Sequence, residues 1–437
     1  MSPVNNSRRV NMITMGCSKN LVDSEFLMAQ FSAAGWEVDF DGSGAGYDAV
    51  IINTCGFIHD ARQESVDMIL QYAQARKNGE IGKLCVIGCL SERYKDELAE
   101  EILEADIVLG VNSPEALIRE LEPAGTGFCS PAGRLLSTPK HYAYLKISEG
   151  CDRKCSFCII PSIRGGHVSR TTESLVDETY MLSEKGVKEL VLIAQDLTSY
   201  GTDLYGKPRL GDLLLQLQEI NGIEWIRLHY AYPAGFPDDV LEIMASGSKI
   251  CRYLDIPLQH ISDNVLKRMR RGISGKKTLE LIKKIRHKVP GIALRTTMLT
   301  GHPGETERDF EDLKNFVRGA RFDRLGVFPY SHEEGTWAYH NLEDNIPLDE
   351  KERRAEEIMQ IQQEISAEIN SSYIGRHIKV LIDNEDEEYF QGRTEHDSPE
   401  VDNGVLVYKT GGIAVGNFVH AEVTGAYEFD LYAQPLP

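Results

Sequence analysis

This chain of 437 residues has no apolar run long enough to cross a membrane, and its opening, Met-Ser-Pro-Val-Asn-Asn-Ser-Arg-Arg, lacks a secretory hydrophobic segment. It also lacks a disulfide framework: nine cysteines are an odd number and are not spaced as one. Together these absences point to a reducing cytoplasm. A third shortage is positive charge. Lysine and arginine number 47 against 67 aspartates and glutamates, for a net charge of −20. Nucleic-acid binding draws most of its affinity from cations on phosphates, so direct binding of nucleic acid is disfavoured and a basic protein is the easier partner. The run Lys267-Arg268-Met269-Arg270-Arg271 reads as a solvated helix face. Hydrophobic and charged fractions of 42% and 26% are those of an ordinary globular protein, and the length allows two or three domains.

One further absence carries chemistry. Cys151, Cys155 and Cys158 crowd into Gly150-Cys-Asp-Arg-Lys-Cys-Ser-Phe-Cys158, with no fourth cysteine or histidine in the next few positions. Thiolates are the soft ligands that iron–sulfur clusters select, and a cubane of four irons normally takes four of them. Three ligands leave one iron open to bind and activate a small molecule. The alternative is half of a structural zinc site completed from a distance. Structural zinc usually shows two ligand pairs, and the nearest histidine, His167, has no second ligand beside it.

The N-terminal third alternates short apolar runs with helical stretches, the pattern of βαβ units and a parallel sheet. Val10–Met15, Ala49–Ile52 and Leu84–Ile87 are the strands; helices are expected around Asp23–Phe31, Ala61–Gln74 and Ser91–Leu103. In such sheets ligands gather outside the carboxyl ends of the strands. Cys17, Cys55 and Cys89 each follow a different strand at that position, which suggests a second three-cysteine site, again one ligand short. Buried cysteines are also common small hydrophobes, and one alone would mean little. Cys85, Cys129 and Cys251 read as such packing residues. Gly42-Ser-Gly-Ala-Gly46 lacks the full nucleotide-loop fingerprint and reads as a flexible connection.

A second region begins near Arg134. Strands are expected at Tyr142–Ile147, Glu189–Ala194, Trp225–His229, Tyr253–Ile256, Ile292–Leu299 and Arg324–Phe328, with helices between them. This predicts a parallel, partly or fully closed barrel whose reactive face collects Cys151, Gln195, His229, Gln259 and Gly301. Asp349–Asn370, charged and free of glycine, reads as a closing helix or a linker. The last 65 residues turn to short strands at Arg376–Ile382, Tyr389–Thr394, Gly404–Tyr408 and Phe418–Thr424, fitting a small antiparallel barrel. From Tyr373 onward, twelve acidic residues face four lysines and arginines, so this barrel would repel phosphate. The expected domains are therefore 1–133, 134–370 and 371–437.

Cys-x3-Cys-x2-Cys with Phe157 before the last cysteine is the signature of radical S-adenosylmethionine enzymes. The three-part order resembles their methylthiotransferases, from Gly16-Cys-Ser-Lys-Asn-Leu-Val-Asp-Ser-Glu25 to the terminal, TRAM-like barrel. Asn53-Thr-Cys55, Gly88-Cys89, Ile147-Ser-Glu-Gly-Cys151 and Ile159-Ile-Pro-Ser-Ile-Arg-Gly165 match that family almost continuously. So do Asp255-Ile-Pro-Leu-Gln-His260, Gly301-His-Pro-Gly-Glu-Thr306, Tyr330-Ser-His-Glu-Glu-Gly335 and Gly392-Arg-Thr-Glu395. One branch modifies an adenosine of transfer RNA; the other, the RimO type, modifies an aspartate of small-subunit ribosomal protein S-twelve. Gly16-Cys-Ser-Lys-Asn20, Gln195-Asp196 before Ser199-Tyr-Gly201, and the acidic terminal barrel resemble the ribosomal branch. His302 departs from the phenylalanine common after that glycine.

The resemblance implies two [4Fe-4S] clusters, on Cys151/Cys155/Cys158 and on Cys17/Cys55/Cys89, with S-adenosylmethionine on the open iron of the first. It implies a radical that takes hydrogen from the β-carbon of the target aspartate, and a methylthio unit delivered from the second cluster. A reducing electron donor is required. Phe157 would pack near the adenine, Gln195 would contact the cofactor, and the terminal barrel would recognise the substrate. No acid or base is named. Two other readings stay open: a transfer-RNA methylthiotransferase, and a non-catalytic iron–sulfur or zinc module carried by the terminal barrel.

Overall fold

A computed structural model describes residues 8–111, 114–122, 133–247 and 249–437. The first seven residues and Cys129, both read above from sequence, lie outside the described residues. The chain divides into two compact units. The first comprises Met1–Thr138 with Glu149–Asp152 and Ile159–Gly166; the second comprises Pro139–Ser148, Arg153–Cys158 and His167–Pro437.

The first unit is built on five parallel strands: β1 (Arg9–Thr14), β2 (Glu37–Phe40), β3 (Ala49–Thr54), β4 (Lys83–Gly88) and β5 (Ile107–Val108), ordered β2-β1-β3-β4-β5. Strand side chains alternate between faces, and both faces are apolar. Val50, Ile52, Leu84 and Val86 pack on one side with Ile69, Tyr72 and Ala73 of the helix His59–Lys77. Ala49, Ile51, Cys85 and Ile87 pack on the other with Leu27, Met28 and Phe31 of the helix Ser18–Ala33. The single helix expected over Ser91–Leu103 is two, Cys89–Arg93 and Lys95–Glu101, broken at Tyr94 with ψ of 41°.

The second unit opens with β6 (Tyr142–Lys146); the two-residue strand β7 (Ser148–Glu149) ends on a residue of the first unit, and β8 (Val168–Ser169) belongs to the second. Then come β9 (Glu189–Ile193), β10 (Trp225–Leu228), β11 (Ile250–Asp255), β12 (Ala293–Thr300) and β13 (Arg324–Pro329). Their order, β13-β12-β11-β10-β9-β6, makes an all-parallel six-stranded sheet. It remains open between β6 and β13, which resolves the choice left by the sequence: the barrel is partial.

The helix Leu348–Ser371 leads to β14 (His377–Glu385), β15 (Tyr389–Arg393), β16 (Val405–Tyr408), β17 (Phe418–Ala426) and β18 (Leu431–Pro435), a closed barrel in the order β14-β15-β16-β18-β17. β18 was not anticipated. It pairs parallel to β16 and antiparallel to β17, closing the ring. The small barrel docks on the starts of the sheet strands: Trp225 meets Phe418 edge-on at 4.7 Å, and Leu381 joins Cys251, Tyr253 and Ala293.

The segment joining β15 to β16 leaves the small barrel and enters the partial one. Arg227 donates to the Thr394 and Glu395 carbonyls, Asp397 pairs with Arg324, and Asp402 accepts from Tyr253 at 2.7 Å and Arg295 at 3.2 Å. Glu400 accepts from Tyr142 at 2.9 Å and Tyr144 at 3.1 Å. The acidity counted in the sequence is thus partly internal. The Asp397 and Asp402 side chains are buried in this packing and Glu395 and Glu400 are bonded to it, whereas the run Glu385–Glu388 is exposed on the barrel's outside.

Candidate functional site

Three cysteines of the first unit stand where the parallel sheet delivers them. Cys17 is the residue before the helix Ser18–Ala33, Cys55 follows β3 directly, and Cys89 begins the helix after β4. β1, β3 and β4 are neighbours in the sheet, so the three loops emerge side by side. Gly16 has φ of +88°, and a Cβ there would lie 2.7 Å from Cys55 Sγ, so only glycine lets the two loops approach this closely. Gly56 is similarly pressed against the Cys89 carbonyl, where a Cβ would sit at 2.8 Å.

Cys17 is exposed, whereas Cys55 and Cys89 are buried. Burial pushes both thiols up, Cys89 to about 11, with Arg164 opposing the rise in each case. A metal that binds there must displace those protons. Among the described residues, no three histidine, cysteine or carboxylate side chains converge on a single point as one ion requires. A cubane differs, since each thiolate holds a different iron. The all-sulfur donor set suits a cluster.

Asn20 organises the floor of this site. Its Nδ2 donates to the Met15 and Thr54 carbonyls, both at 2.9 Å, tying the end of β1 to the end of β3. Asn53 Nδ2 returns a bond to the Asn20 carbonyl at 2.9 Å. The Cys89 thiol lies 3.8 Å from Asn20 Oδ1.

The Cys151–Cys158 motif is divided between the units. Cys151 belongs to the first, where its amide donates to the Gly165 carbonyl at 3.1 Å. Cys155 and Cys158 belong to the second and are half-buried, with the Cys158 amide bonded to the Cys155 carbonyl at 3.2 Å. Arg271 Nη1 donates to Cys155 Sγ at 3.2 Å. Its guanidinium and that of Arg153 stack on the Tyr232 ring, at 4.5 and 4.1 Å from its centre.

The reading of Lys267–Arg271 as a solvated face needs correction at its last residue. Lys267, Arg268 and Arg270 are exposed, but Arg271 is buried and faces Cys155. A helix ends with the segment Asp263–Arg268, so Arg271 lies beyond it and turns inward. Nothing local in the sequence separates it from its exposed neighbours.

Phe157 is half-buried beside the buried Ser156. Ser156 is fixed by its amide on the Met269 carbonyl at 2.9 Å and its hydroxyl on His302 Nε2 at 3.2 Å. His302, where the resemblance leads one to expect phenylalanine, therefore braces the cysteine loop. Gln195 is half-buried just past β9. His229 follows β10 and is engaged with Ser398 at 2.6 Å. Gln259 bridges to Met298 with φ of +73°, and Gly301 follows β12 with its amide on Glu305 at 2.8 Å. Cys85 and Cys251 are buried within β4 and β11, with thiols pushed up to about 12 by burial. His167 pairs with Ser169 at 2.9 Å.

Comparison with known proteins places these features in a context. Residues 145–317 match the Radical SAM superfamily, residues 9–110 the uncharacterized protein family UPF0004, and residues 374–436 the TRAM domain. The chain is 54% identical over 431 residues to the ribosomal protein uS12 methylthiotransferase RimO of Cytophaga hutchinsonii, covering 98% of each. It is 53% identical over 432 residues to the protein of the same description from Bacteroides thetaiotaomicron, again over 98% of each. Among solved structures, the radical S-adenosylmethionine methyltransferase TsrM from Kitasatospora setae, with cobalamin and a [4Fe-4S] cluster bound, aligns with a TM-score of 0.54 at 15% identity. That alignment covers 74% of this chain and 72% of TsrM. The cobalamin-dependent radical enzyme OxsB aligns at 0.51 and 12% identity, over 81% of this chain and 56% of OxsB. These last two likenesses concern the fold alone.

Proposed function

Since the chain belongs to the family of RimO-type ribosomal protein uS12 methylthiotransferases, we propose that Cys151, Cys155 and Cys158 hold one [4Fe-4S] cluster, which binds S-adenosylmethionine, and that Cys17, Cys55 and Cys89 hold another. The protein is a radical S-adenosylmethionine enzyme that transfers a methylthio group to ribosomal protein uS12, at the β-carbon of an aspartate. The observation that carries the cysteine assignment is the placement of Cys17, Cys55 and Cys89 at the ends of adjacent parallel strands. Three unrelated packing residues have no reason to share that edge.

When bound, the clusters and S-adenosylmethionine supply one-electron chemistry able to replace hydrogen on an unactivated carbon, which no acid–base group could do. The chain's own groups prepare for it. Arg271 donates to Cys155 and orients its sulfur, while His302 and Met269 hold the loop between the ligands in place. Gly16 and Gly56 let the second set of loops close together. Phe157 packs near the adenine and Gln195 contacts the cofactor in this reading. The exposed acidic run Glu385–Glu388 of the TRAM barrel suits a basic ribosomal protein rather than phosphate. An external electron donor and a reducing cytoplasm complete the requirements; no helix among the described residues is long and apolar enough to cross a membrane.

The test is intact mass of a peptide carrying the target aspartate loop. The peptide is incubated with anaerobically reconstituted, reduced enzyme, S-adenosylmethionine and sulfide. One methylthio group should be gained, and lost with Cys151→Ala or Cys17→Ala. S-Adenosylmethionine cleavage without any gain on peptide, free protein or ribosome would count against the assignment and turn attention to transfer RNA.

A further inference from the structure

Arg164 comes six positions after Cys158 in sequence, yet its side chain is packed inside the first unit and only 2% exposed. The short helix Ile160–Arg164 that carries it packs on the Cys17/Cys55/Cys89 site: Ile159 and Ile163 form an apolar cluster with Cys89. The guanidinium fork makes three bonds. Nη1 donates to Asp23 at 3.2 Å and to Glu149 at 2.9 Å, and Nη2 donates to Asn20 Oδ1. Asn20 Oδ1 is the same atom that the Cys89 thiol approaches at 3.8 Å.

One buried cation therefore stands against the Cys89 corner of the site, joined to it through Asn20. Burying a guanidinium is costly unless it is paired, and Asp23 and Glu149 provide the pairing. Their geometry also fixes the fork, something a flexible ammonium would not achieve. With few water molecules to screen it, its charge is felt strongly by the sulfurs nearby. Reduction potentials of iron–sulfur groups follow net charge and hydrogen bonding at their sulfurs.

We infer that Arg164 is a positioning residue for the Cys17/Cys55/Cys89 site: its guanidinium stabilises negative charge on these thiolates and sets how readily the metal group they hold accepts an electron. This rests on the reading that those cysteines hold a cluster. The backbone adds a second link. Gly165, the next residue, accepts the Cys151 amide, and a Cβ at Gly150 would lie 2.0 Å from the Gly166 carbonyl. The loop that places Arg164 is thus clasped to the first ligand of the other set.

The experiment uses full-length protein carrying Cys151→Ala, Cys155→Ala and Cys158→Ala, reconstituted anaerobically with iron and sulfide so that only the Cys17/Cys55/Cys89 site is loaded. A redox titration followed by electron paramagnetic resonance gives its midpoint potential. Adding Arg164→Gln should move the midpoint to more negative values, because a nearby positive charge is lost. Arg164→Lys should move it less, because the charge remains. Asp23→Asn should move it the opposite way, because the guanidinium loses an opposing charge; this variant decides the matter if Arg164→Gln does not fold. Iron bound at an unchanged potential in Arg164→Gln, or in Asp23→Asn if Arg164→Gln does not fold, overturns the inference alone. A parent variant that binds no iron overturns the cluster reading, and the inference with it.

Discussion

Glu189 and Arg227 meet at 2.7 Å with neither side chain exposed to solvent. Glu189 starts β9 and Arg227 lies in β10, so the pair is built into the partial barrel itself. Arg393, at the end of β15, approaches the same carboxylate at 2.8 Å. One glutamate thus balances two buried guanidiniums, one from the sheet and one from the small barrel. Arg393 is held from its other side by Asp383 at 2.6 Å, which in turn contacts His141 at 2.8 Å.

Removing the charge of Glu189 should be severe, because it leaves Arg227 without a carboxylate where water cannot reach it and Arg393 with Asp383 alone. Breaking a buried pair by deleting one partner costs about 3–5 kcal/mol. Glu189→Gln should therefore lower the denaturation midpoint in urea by an amount equivalent to that range. A midpoint matching the parent's would show that the pair is not buried as described.

The terminal barrel should be needed for the integrity of the radical SAM part as well as for substrate. A chain ending at Ser371 would leave Arg227, Arg295 and Arg324 without Thr394, Glu395, Asp397 and Asp402. The truncated protein is expected to be cleaved rapidly by trypsin and to lose S-adenosylmethionine cleavage along with substrate modification. Retained cleavage activity with a protease-resistant core would mean the inserted segment is dispensable.

Gly150→Ala should disable the Cys151 loop. The residue has φ of +72°, a region alanine avoids, and its new Cβ would collide with the Gly166 carbonyl at 2.0 Å. Backbone must move, since no flexible side chain is there to yield. We expect reconstituted protein with roughly half the parent's iron and S-adenosylmethionine cleavage reduced by about 100-fold or more, the scale of a catalytic constellation misplaced by about 1 Å. Parental iron content would exclude this tight loop–loop contact.

Acid should destabilise the second unit through two buried histidines. Burial holds His260 down at about 3 and His302 at about 4, against the ordinary 6.5. Between those values the unfolded chain binds protons that the folded chain does not, so stability rises with pH across the window and falls as pH drops from 6.5. Each group contributes a slope of up to about 1.4 kcal/mol per pH unit. Urea midpoints measured from pH 7 to pH 5 should fall, and less so in His260→Gln. Parallel curves for the parent and this variant would remove His260 from the account.

Much of the architecture was legible because it follows from short-range pattern. The runs Ala49–Ile52 and Leu84–Ile87 are apolar on both faces, as only a strand covered on both sides can be, and they became β3 and β4. β18 escaped notice because Leu431–Pro435 is brief and mixed, and its place depends on partners in β16 and β17. The split after Cys89 depends on the backbone at Tyr94, which hydrophobic spacing does not report.

What the amino-acid order determined by itself is the set of chemical groups and their strand-end positions. Three thiols within eight residues, and three more just past separate apolar runs, are properties of the chain's local grammar. Tertiary structure alone decided the company those thiols keep. Arg164 reaches Asp23 and Asn20 across 141 and 144 positions, and Arg271 reaches Cys155 across 116. It also decided that the acidic segment after β15 would lie among the arginines and tyrosines of the sheet. The physical reason is that charge acts through space and is strengthened by burial. Periodicity carries information about faces over a few residues, and none about which distant charge will be closed in beside them.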